Sequence, residues 1–179
     1  SSHIFENSFS KQQNELTKPL FKSHYALAKY LGLEICHYYR NIKNIFCSVG
    51  ILYTHVSKHI NKNYLIKELS NKLKKSTNNI IYVKNVNAEI DLMAADDAVL
   101  AMRKIMNLNK PETFIISSGK KTSLKKIFNE ILNYHNIKSN FQIRSKKKVK
   151  KSSVLFGNNS KLKSKTNWTT KNNLKQIIK

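Results

Sequence analysis

The feature of this sequence that most constrains its fold is a tyrosine and a lysine four residues apart. Tyr25 and Lys29 lie in a segment in which neither Gly nor Pro occurs from Ser23 until Gly32. In a helix this spacing places both side chains on one face, one turn apart. An ammonium group near a tyrosine hydroxyl favours the phenolate. The pair is therefore suited to taking a proton from a sugar or alcohol hydroxyl while a hydride leaves the same carbon.

In a lysine-rich chain the same spacing also arises by chance. A surface tyrosine beside a solvated lysine is then the ordinary interpretation of Tyr25 and Lys29. The choice between the two depends on the other motifs, which are Ser1-Ser2-His3-Ile4, the run 50–57, Tyr82-Val83-Lys84-Asn85, Ile90-Asp91-Leu92, Leu155-Phe156-Gly157-Asn158 and Trp168. In order and spacing, these segments together with Tyr25 and Lys29 resemble the extended short-chain dehydrogenase/reductase family, and within it the GDP-mannose 4,6-dehydratases.

The resemblance implies an α/β fold, namely the C-terminal part of a Rossmann-type doubly wound parallel sheet with a small α/β substrate-binding domain. Residues 1–52 are expected to belong to the cofactor-binding domain. Residues 53–179 are expected to form mainly the sugar-nucleotide-binding domain, with residues 91–117 returning to the sheet. Because the first residues already match a catalytic strand end, the glycine-rich phosphate loop is expected to be missing. The chain then corresponds to the C-terminal half of an enzyme, as a fragment or a degenerate copy.

The resemblance also assigns catalytic and cofactor-binding residues. Tyr25 is expected to act as the base and also to contact the cofactor, and Lys29 is expected to support Tyr25 and hold the ribose of the cofactor. Ser2 is expected to polarise the oxygen at C4 of the sugar. His55 matches a histidine that contacts the nicotinamide cofactor, which is expected to be NADP, with NAD as the alternative.

Three further residues are expected to bind the substrate. Thr54 replaces an asparagine that faces the substrate phosphates. Asn85 falls in a loop that meets the nucleotide, although an asparagine in a turn is an ordinary finding. Arg144 matches an arginine near the diphosphate, for which a guanidinium is suited, and a surface arginine is the alternative.

Three isoleucines mark departures from the family pattern. Ile4 stands where the dehydratases carry the glutamate that removes the proton next to the new ketone, and an isoleucine cannot do acid–base chemistry. Ile60 and Ile90 stand at the positions of two arginines. Glu6 lies two residues after Ile4 and is expected to be a loop carboxylate.

The resemblance therefore predicts a dehydratase that converts GDP-mannose to the 4-keto-6-deoxy sugar. The enzyme is expected to be a cytoplasmic homo-oligomer. Tyr25, Lys29 and Ser2 also suffice for a sugar-nucleotide 4-epimerase or 4-reductase. A non-catalytic basic module that binds nucleic acid is the alternative from another class.

The charge of the chain gives weak support to a nucleic-acid-binding module. The chain has 33 Lys and Arg against 10 Asp and Glu, a formal net charge of +23, and clustered cations bind nucleic-acid phosphates. The excess is mostly lysine spread along the chain, with one dense run at residues 146–151. This distribution favours a solvated surface, so nucleic acid is not the expected partner.

The composition of the chain also bears on disulfides, metal sites and membrane-spanning helices. Cys36 and Cys47 match no metal or redox spacing, and we expect them to be unpaired and reduced. The six histidines are scattered, so no metal site is expected. No apolar run approaches the roughly 18 residues of a membrane helix, so no membrane partner is expected.

Periodicity and turn residues predict the order of the elements. The expected elements are a strand end over 1–5, a loop over 7–22, a helix over 23–40 capped by Ser23 with Ala28, Leu31 and Ile35 on the sheet, a strand over 44–52, a helix over 64–75, a strand over 80–83, a helix over 94–106 capped or oriented by Asp97, a strand over 113–117, a helix capped by Thr122 or Ser123 through Tyr134, an edge strand over 142–144, and short helices over 160–168 and 172–178.

Overall fold

Helices alternate with short, mostly parallel strands along the chain, as the α/β prediction requires. The computed structural model describes residues 1–6, 8, 11–61, 64–137, 140–146 and 155–179. After a 3-10 helix at Ser2–Phe5, the elements are α1 (His24–Asn41), β1 (Val49–Leu52), β2 (Thr54–Val56), α2 (Leu65–Lys75), β3 (Ile80–Val83), β4 (Glu89–Ala94), α3 (Ala95–Met106), β5 (Thr113–Ile116), β6 (Lys121–Ser123), α4 (Leu124–Tyr134), β7 (Gln142–Ser145), α5 (Ser160–Thr166) and α6 (Leu174–Ile178).

Within the residues that the structure describes, the strands pair into three small sheets. Strand β1 pairs in parallel with β5, and β3 pairs in parallel with β7. In the third sheet β4 lies between β2, which is parallel to it, and β6, which is antiparallel. Parallel pairs need crossover connections, which here include the helices α2, α3 and α4 that lie between the paired strands along the chain. The α/β prediction is confirmed.

Two hydrophobic clusters of described residues form the core. The first surrounds β1 and β5 and includes Phe114 and Ile116 with Leu162 and Trp168 from the C-terminal part of the chain. The second lies between α2, β3 and α4 and includes Ile127. Leu162 lies in α5, so the C-terminal part of the chain contributes to the first cluster. The division into domains at residue 52 stays a prediction.

The strand end predicted over residues 1–5 is wrong. These residues form a 3-10 helix, in which the hydroxyl of Ser1 accepts a hydrogen bond from the His3 amide at 3.4 Å. The Ser1 carbonyl accepts another from the Ile4 amide at 3.3 Å. Ile4 and Phe5 are buried in the first cluster, and this burial holds the tight turn against the core.

Helix α1 begins after Ser23 as predicted, and the Ser23 hydroxyl accepts a hydrogen bond from the Ala26 amide. The face that it buries was predicted wrongly. Ala28, Leu31 and Ile35 are exposed, whereas the inward side chains are those of Ala26, Tyr30, Leu33 and His37. The helix is apolar on more than one side, so periodicity alone left two candidate faces.

The strand predicted over residues 44–52 begins only at Val49. Asn44 has a positive φ of 53°, and the Ile45 amide donates a hydrogen bond to the Tyr39 carbonyl at the end of α1. The Arg40 side chain donates to the Cys47 carbonyl at 2.8 Å. These backbone groups bind the helix end instead of a neighbouring strand, which shortens β1.

The other predicted elements are found with small shifts in their ends. Among the described residues of the predicted loop, no helix or strand forms, and Gln13 makes an isolated bridge to Gly157. Ser123, not Thr122, caps α4. Asp97 does not cap its own helix, because its carboxylate accepts from the backbone amides of Lys171 and Asn172. Most of the lysine run at 146–151 lies outside the described residues.

An ion pair on the β5 side of the fold makes stability depend on pH. Lys161 Nζ lies 2.8 Å from Glu112 Oε2. The hydrogen bond from Lys161 lowers the pKa of the Glu112 carboxyl, the charges of Lys161, Lys165 and Arg40 lower it further, and burial opposes the shift. Because the pKa in the folded state lies below the usual 4.5, the stabilisation is present above that pH and is lost as pH falls through the folded-state pKa.

Glu112→Gln is therefore expected to lower the free energy of unfolding at pH 7 and to have no effect in strong acid. Denaturant titration at both pH values measures the difference. Glu89→Gln is the control, since the Glu89 carboxylate lies 3.8 Å from Lys121 at the surface and its loss is expected to cost at most about 0.5 kcal/mol. A Glu112→Gln effect that is equal at both pH values would contradict this assignment.

Candidate active site

A cavity of about 480 Å³ opens where β1 ends and the chain continues into β2. Ligands of open α/β sheets bind at such carboxyl ends of parallel strands. The cavity is lined by Ser1, Ser2, His3, Tyr25, Lys29, Leu52, Tyr53, Thr54, His55 and Tyr64. It therefore brings together five of the residues that the sequence predicts for the site, namely Ser2, Tyr25, Lys29, Thr54 and His55.

The first turns of α1 bring Tyr25 and Lys29 to this cavity. Lys29 Nζ lies 5.5 Å from the centroid of the Tyr25 ring, as expected for two side chains one helical turn apart. The Tyr25 side chain is half exposed. The pair is therefore open to a ligand and is not part of the hydrophobic core.

The 3-10 helix forms the wall beside Tyr25. Ser2 is buried with 5% of its surface exposed, and the ring of His3 packs edge-on against Tyr25 at 5.5 Å between centroids. His3 Nδ1 lies 2.5 Å from Glu6 Oε1. Ile4 points elsewhere, since it is buried in the first hydrophobic cluster.

Strand β2 supplies the wall on the other side. Thr54 and His55 are exposed at the mouth of the cavity. The His55 Nδ1 lies 3.0 Å from the Tyr53 carbonyl, which can only accept a hydrogen bond, so Nδ1 carries the hydrogen. This contact fixes the ring and leaves Nε2 for other partners.

Asn85 and Arg144 are not among the residues that line the cavity. Arg144 lies opposite Tyr82 in the β3–β7 pair, and its guanidinium donates to the Gln142 side chain. Asn85 accepts a hydrogen bond from the Asn87 amide within a turn. Their roles in binding substrate stay predictions.

A buried polar network beneath the cavity was missed by the sequence analysis. The Tyr53 hydroxyl donates to Gln13 Oε1 at 3.0 Å, and the amide of Phe156 donates to the same oxygen at 2.8 Å. Burial raises the pKa of the Tyr53 hydroxyl, and the charges of Asp91 and Glu15 add to the shift. Tyr53 therefore stays protonated, whereas Tyr25 and Tyr64 of the same cavity are exposed, and of these two Tyr25 is the one with Lys29 Nζ over its ring.

Asp91 joins two of the motifs on which the resemblance rests. Its carboxylate accepts from the amide and hydroxyl of Ser118 at 2.7 and 2.6 Å, and from the Gly157 amide at 3.1 Å. The pKa of the Asp91 carboxyl is raised, because burial raises it by more than these hydrogen bonds lower it. The contacts connect the Ile90-Asp91-Leu92 motif to the Leu155-Phe156-Gly157-Asn158 motif.

In the described part of the chain, no cluster of three or more His, Cys, Asp or Glu side chains is arranged to hold a metal ion. None of its helices combines the length and the apolar character needed to span a membrane.

Solved structures share this fold over nearly the whole chain. RMD from Pseudomonas aeruginosa in complex with NADPH has a TM-score of 0.86 at 13% identity, covering 99% of this chain and 62% of that one. UDP-glucuronic acid 4-epimerase from Bacillus cereus, with UDP-glucuronic acid and NAD, has a TM-score of 0.83 at 15% identity, covering 99% and 57%. At these identities the likeness establishes the Rossmann-type fold alone.

Curated relatives carry the functional information. The chain is 30% identical over 120 residues to GDP-mannose 4,6 dehydratase 2 of Caenorhabditis elegans, covering 65% of this chain and 31% of that protein. It is also 30% identical over 126 residues to GDP-mannose 4,6 dehydratase of Dictyostelium discoideum, covering 66% and 35%. The matched part thus spans about a third of the length of these relatives. The family model of GDP-mannose 4,6 dehydratase matches residues 1–179, and the chain belongs to that family.

Proposed function

We propose that this chain is part of a sugar-nucleotide dehydratase that converts GDP-mannose to GDP-4-keto-6-deoxymannose with NADP. The observation that carries the proposal is the cavity in which Ser2, Tyr25 and Lys29 meet Thr54 and His55. These side chains come from three separate segments of the chain. Their convergence argues against a chance spacing of Tyr25 and Lys29.

The residues of the cavity suit a nicotinamide cofactor. Lys29 is an ammonium donor beside Tyr25, and both groups can bind the hydroxyls of a ribose. His55 has its ring fixed by the Tyr53 carbonyl and is suited to contact the nicotinamide end. When bound, the cofactor would supply a hydride acceptor for C4 of the sugar and a hydride donor for C6.

The chain's own residues handle the protons and the oxygen of the reaction. Tyr25 would take the proton of the 4-hydroxyl, and the charge of Lys29 favours the phenolate that this requires. Ser2, buried at the wall of the cavity, would donate a hydrogen bond to the same oxygen. Thr54 would bind the diphosphate side of the substrate through its hydroxyl.

A 4-epimerase or 4-reductase is the second candidate. It is favoured by the burial of Ile4, which is 1% exposed and supplies no acid–base group where the dehydratases carry a glutamate. Tyr25, Lys29 and Ser2 suffice for oxidation and reduction at C4 without loss of water.

The test uses the natural polypeptide that contains this chain, incubated with GDP-mannose and NADP. We expect a nucleotide-sugar product that is lighter by one water and reacts as a ketone, measured by mass spectrometry. Conversion to an isomer of equal mass would favour the epimerase. Absence of any conversion of GDP-mannose would contradict the proposed dehydratase.

A further inference from the structure

We propose that His3, oriented by Glu6, is the acid–base residue for the proton at C5 of the sugar, a role that Ile4 cannot fill. The inference rests on the proposed dehydratase and names a residue of the same site. Elimination of water across C5 and C6 requires a group that removes the C5 proton once C4 is a ketone. The question is which side chain of this cavity can do so.

His3 has the position for this role. It lines the cavity together with Tyr25 and Lys29, and its ring lies 5.5 Å from that of Tyr25, at an interplanar angle of 87°. Since Tyr25 would act on the C4 oxygen, a group beside it would lie near the neighbouring carbon C5. The His3 side chain is half exposed at 50%, so it can reach both a bound sugar and water.

Glu6 gives the ring its orientation. His3 Nδ1 lies 2.5 Å from Glu6 Oε1, and Glu6 Oε2 accepts from the Ser23 hydroxyl at 3.2 Å and the Lys22 amide at 3.3 Å. Burial acts to raise the pKa of the Glu6 carboxyl, but the hydrogen bonds from His3, Ser23 and Lys22 outweigh it, so the pKa is lowered. Glu6 is therefore a carboxylate that accepts the Nδ1 hydrogen, which leaves Nε2 of His3 with a lone pair.

The same contacts tie the pair to the catalytic helix. Ser23 is the residue that caps α1, and Tyr25 lies two residues later. Glu6 thus holds His3 and the start of α1 in one arrangement. A histidine whose second ring nitrogen is fixed by a carboxylate is a common design for a general base.

The proton balance is complete with these groups. Nε2 of His3 takes the C5 proton, the C5–H electron pair becomes the C5–C6 double bond, and the C6–O bond breaks. The imidazolium gives the same proton to the leaving hydroxyl, which departs as water. When C6 later receives a hydride, C5 takes a proton through His3, and this proton balances the one that Tyr25 removed from the 4-hydroxyl.

The experiment follows hydrogen exchange at C5, which needs no hydride transfer. The natural polypeptide that contains this chain is incubated in D₂O with the ketone product GDP-4-keto-6-deoxymannose, and deuterium at C5 is measured by NMR. His3→Asn and His3→Gln are expected to slow the exchange by about 100-fold. His3→Glu supplies a carboxylate base, and its exchange rate is expected to stay within about tenfold of the wild-type rate.

His24→Asn is the matched control, because His24 adjoins Tyr25 in sequence but does not line the cavity, and its exchange rate is expected to be unchanged. If His3→Asn and His3→Gln both exchange deuterium at the wild-type rate while the wild-type protein dehydrates GDP-mannose, the role of His3 is overturned and the proposed function stands. A wild-type protein that does not dehydrate GDP-mannose would overturn the proposed function, and the role of His3 with it.

Discussion

Tyr25→Phe is expected to lower the turnover of GDP-mannose by about 10²- to 10⁴-fold, the usual contribution of a general base. The substitution removes the hydroxyl that would take the proton of the 4-hydroxyl and keeps the ring that packs against His3. Because the side chain is 53% exposed, the fold is expected to remain intact. Steady-state turnover of the natural polypeptide and its circular dichroism spectrum measure the two effects separately.

The matched control is Tyr38→Phe on the same helix. Tyr38 is 49% exposed and does not line the cavity, so its turnover is expected to equal that of the wild type. Full activity in Tyr25→Phe would show that the proton is taken by another group and would contradict the catalytic assignment.

Trp168→Ala is expected to destabilise the protein by about 3–5 kcal/mol, the usual cost of deleting a large buried aromatic side chain. Trp168 is 1% exposed and packs in the first hydrophobic cluster with Leu162 and Phe114. Its indole Nε1 donates to the Asp97 carbonyl at 3.0 Å, and the substitution would also remove this hydrogen bond. Denaturant titration measures the loss.

The control for this prediction is Tyr134→Ala at the end of α4. Tyr134 is 49% exposed, and surface substitutions usually change stability by no more than about 0.5 kcal/mol. A loss below about 1 kcal/mol for Trp168→Ala would mean that the C-terminal segment does not contribute to the core as described.

Local signals predicted most of the elements. Ser23 and Ser123 precede helices because a serine hydroxyl can accept from a backbone amide of the first turn, and both do so. The strand at Ile80–Val83 was predicted with its observed ends. Such features depend on residues that are close together in the chain, so they can be predicted from the sequence.

Features that depend on distant residues were predicted less well. Leu31 and Ile35 are apolar, which favours the sheet side of α1, but the side that is buried depends on which residues reach the first cluster. The start of the chain forms a 3-10 helix and not the predicted strand, because Ile4 and Phe5 pack in the same cluster. Periodicity alone does not contain this information.

The site residues, too, were predictable from the sequence where the signal is local and not where it depends on distant residues. Tyr25 and Lys29 were found because a helical spacing of four is a local pattern, whereas Asn85 and Arg144 do not line the same cavity. The bond from Tyr53 to Gln13 joins residues far apart in sequence and had no signal of its own. The place of His3 beside Tyr25 also has no signal in the sequence, because it depends on the 3-10 turn at the start of the chain.

The most direct measurement of the central claim is the fate of deuterium placed at C4 of GDP-mannose. The labelled sugar nucleotide is incubated with the natural polypeptide that contains this chain and with NADP, and the product is analysed by NMR. The dehydratase predicts loss of one water and deuterium at C6. Unchanged substrate, or an isomer that keeps its deuterium at C4, would contradict it.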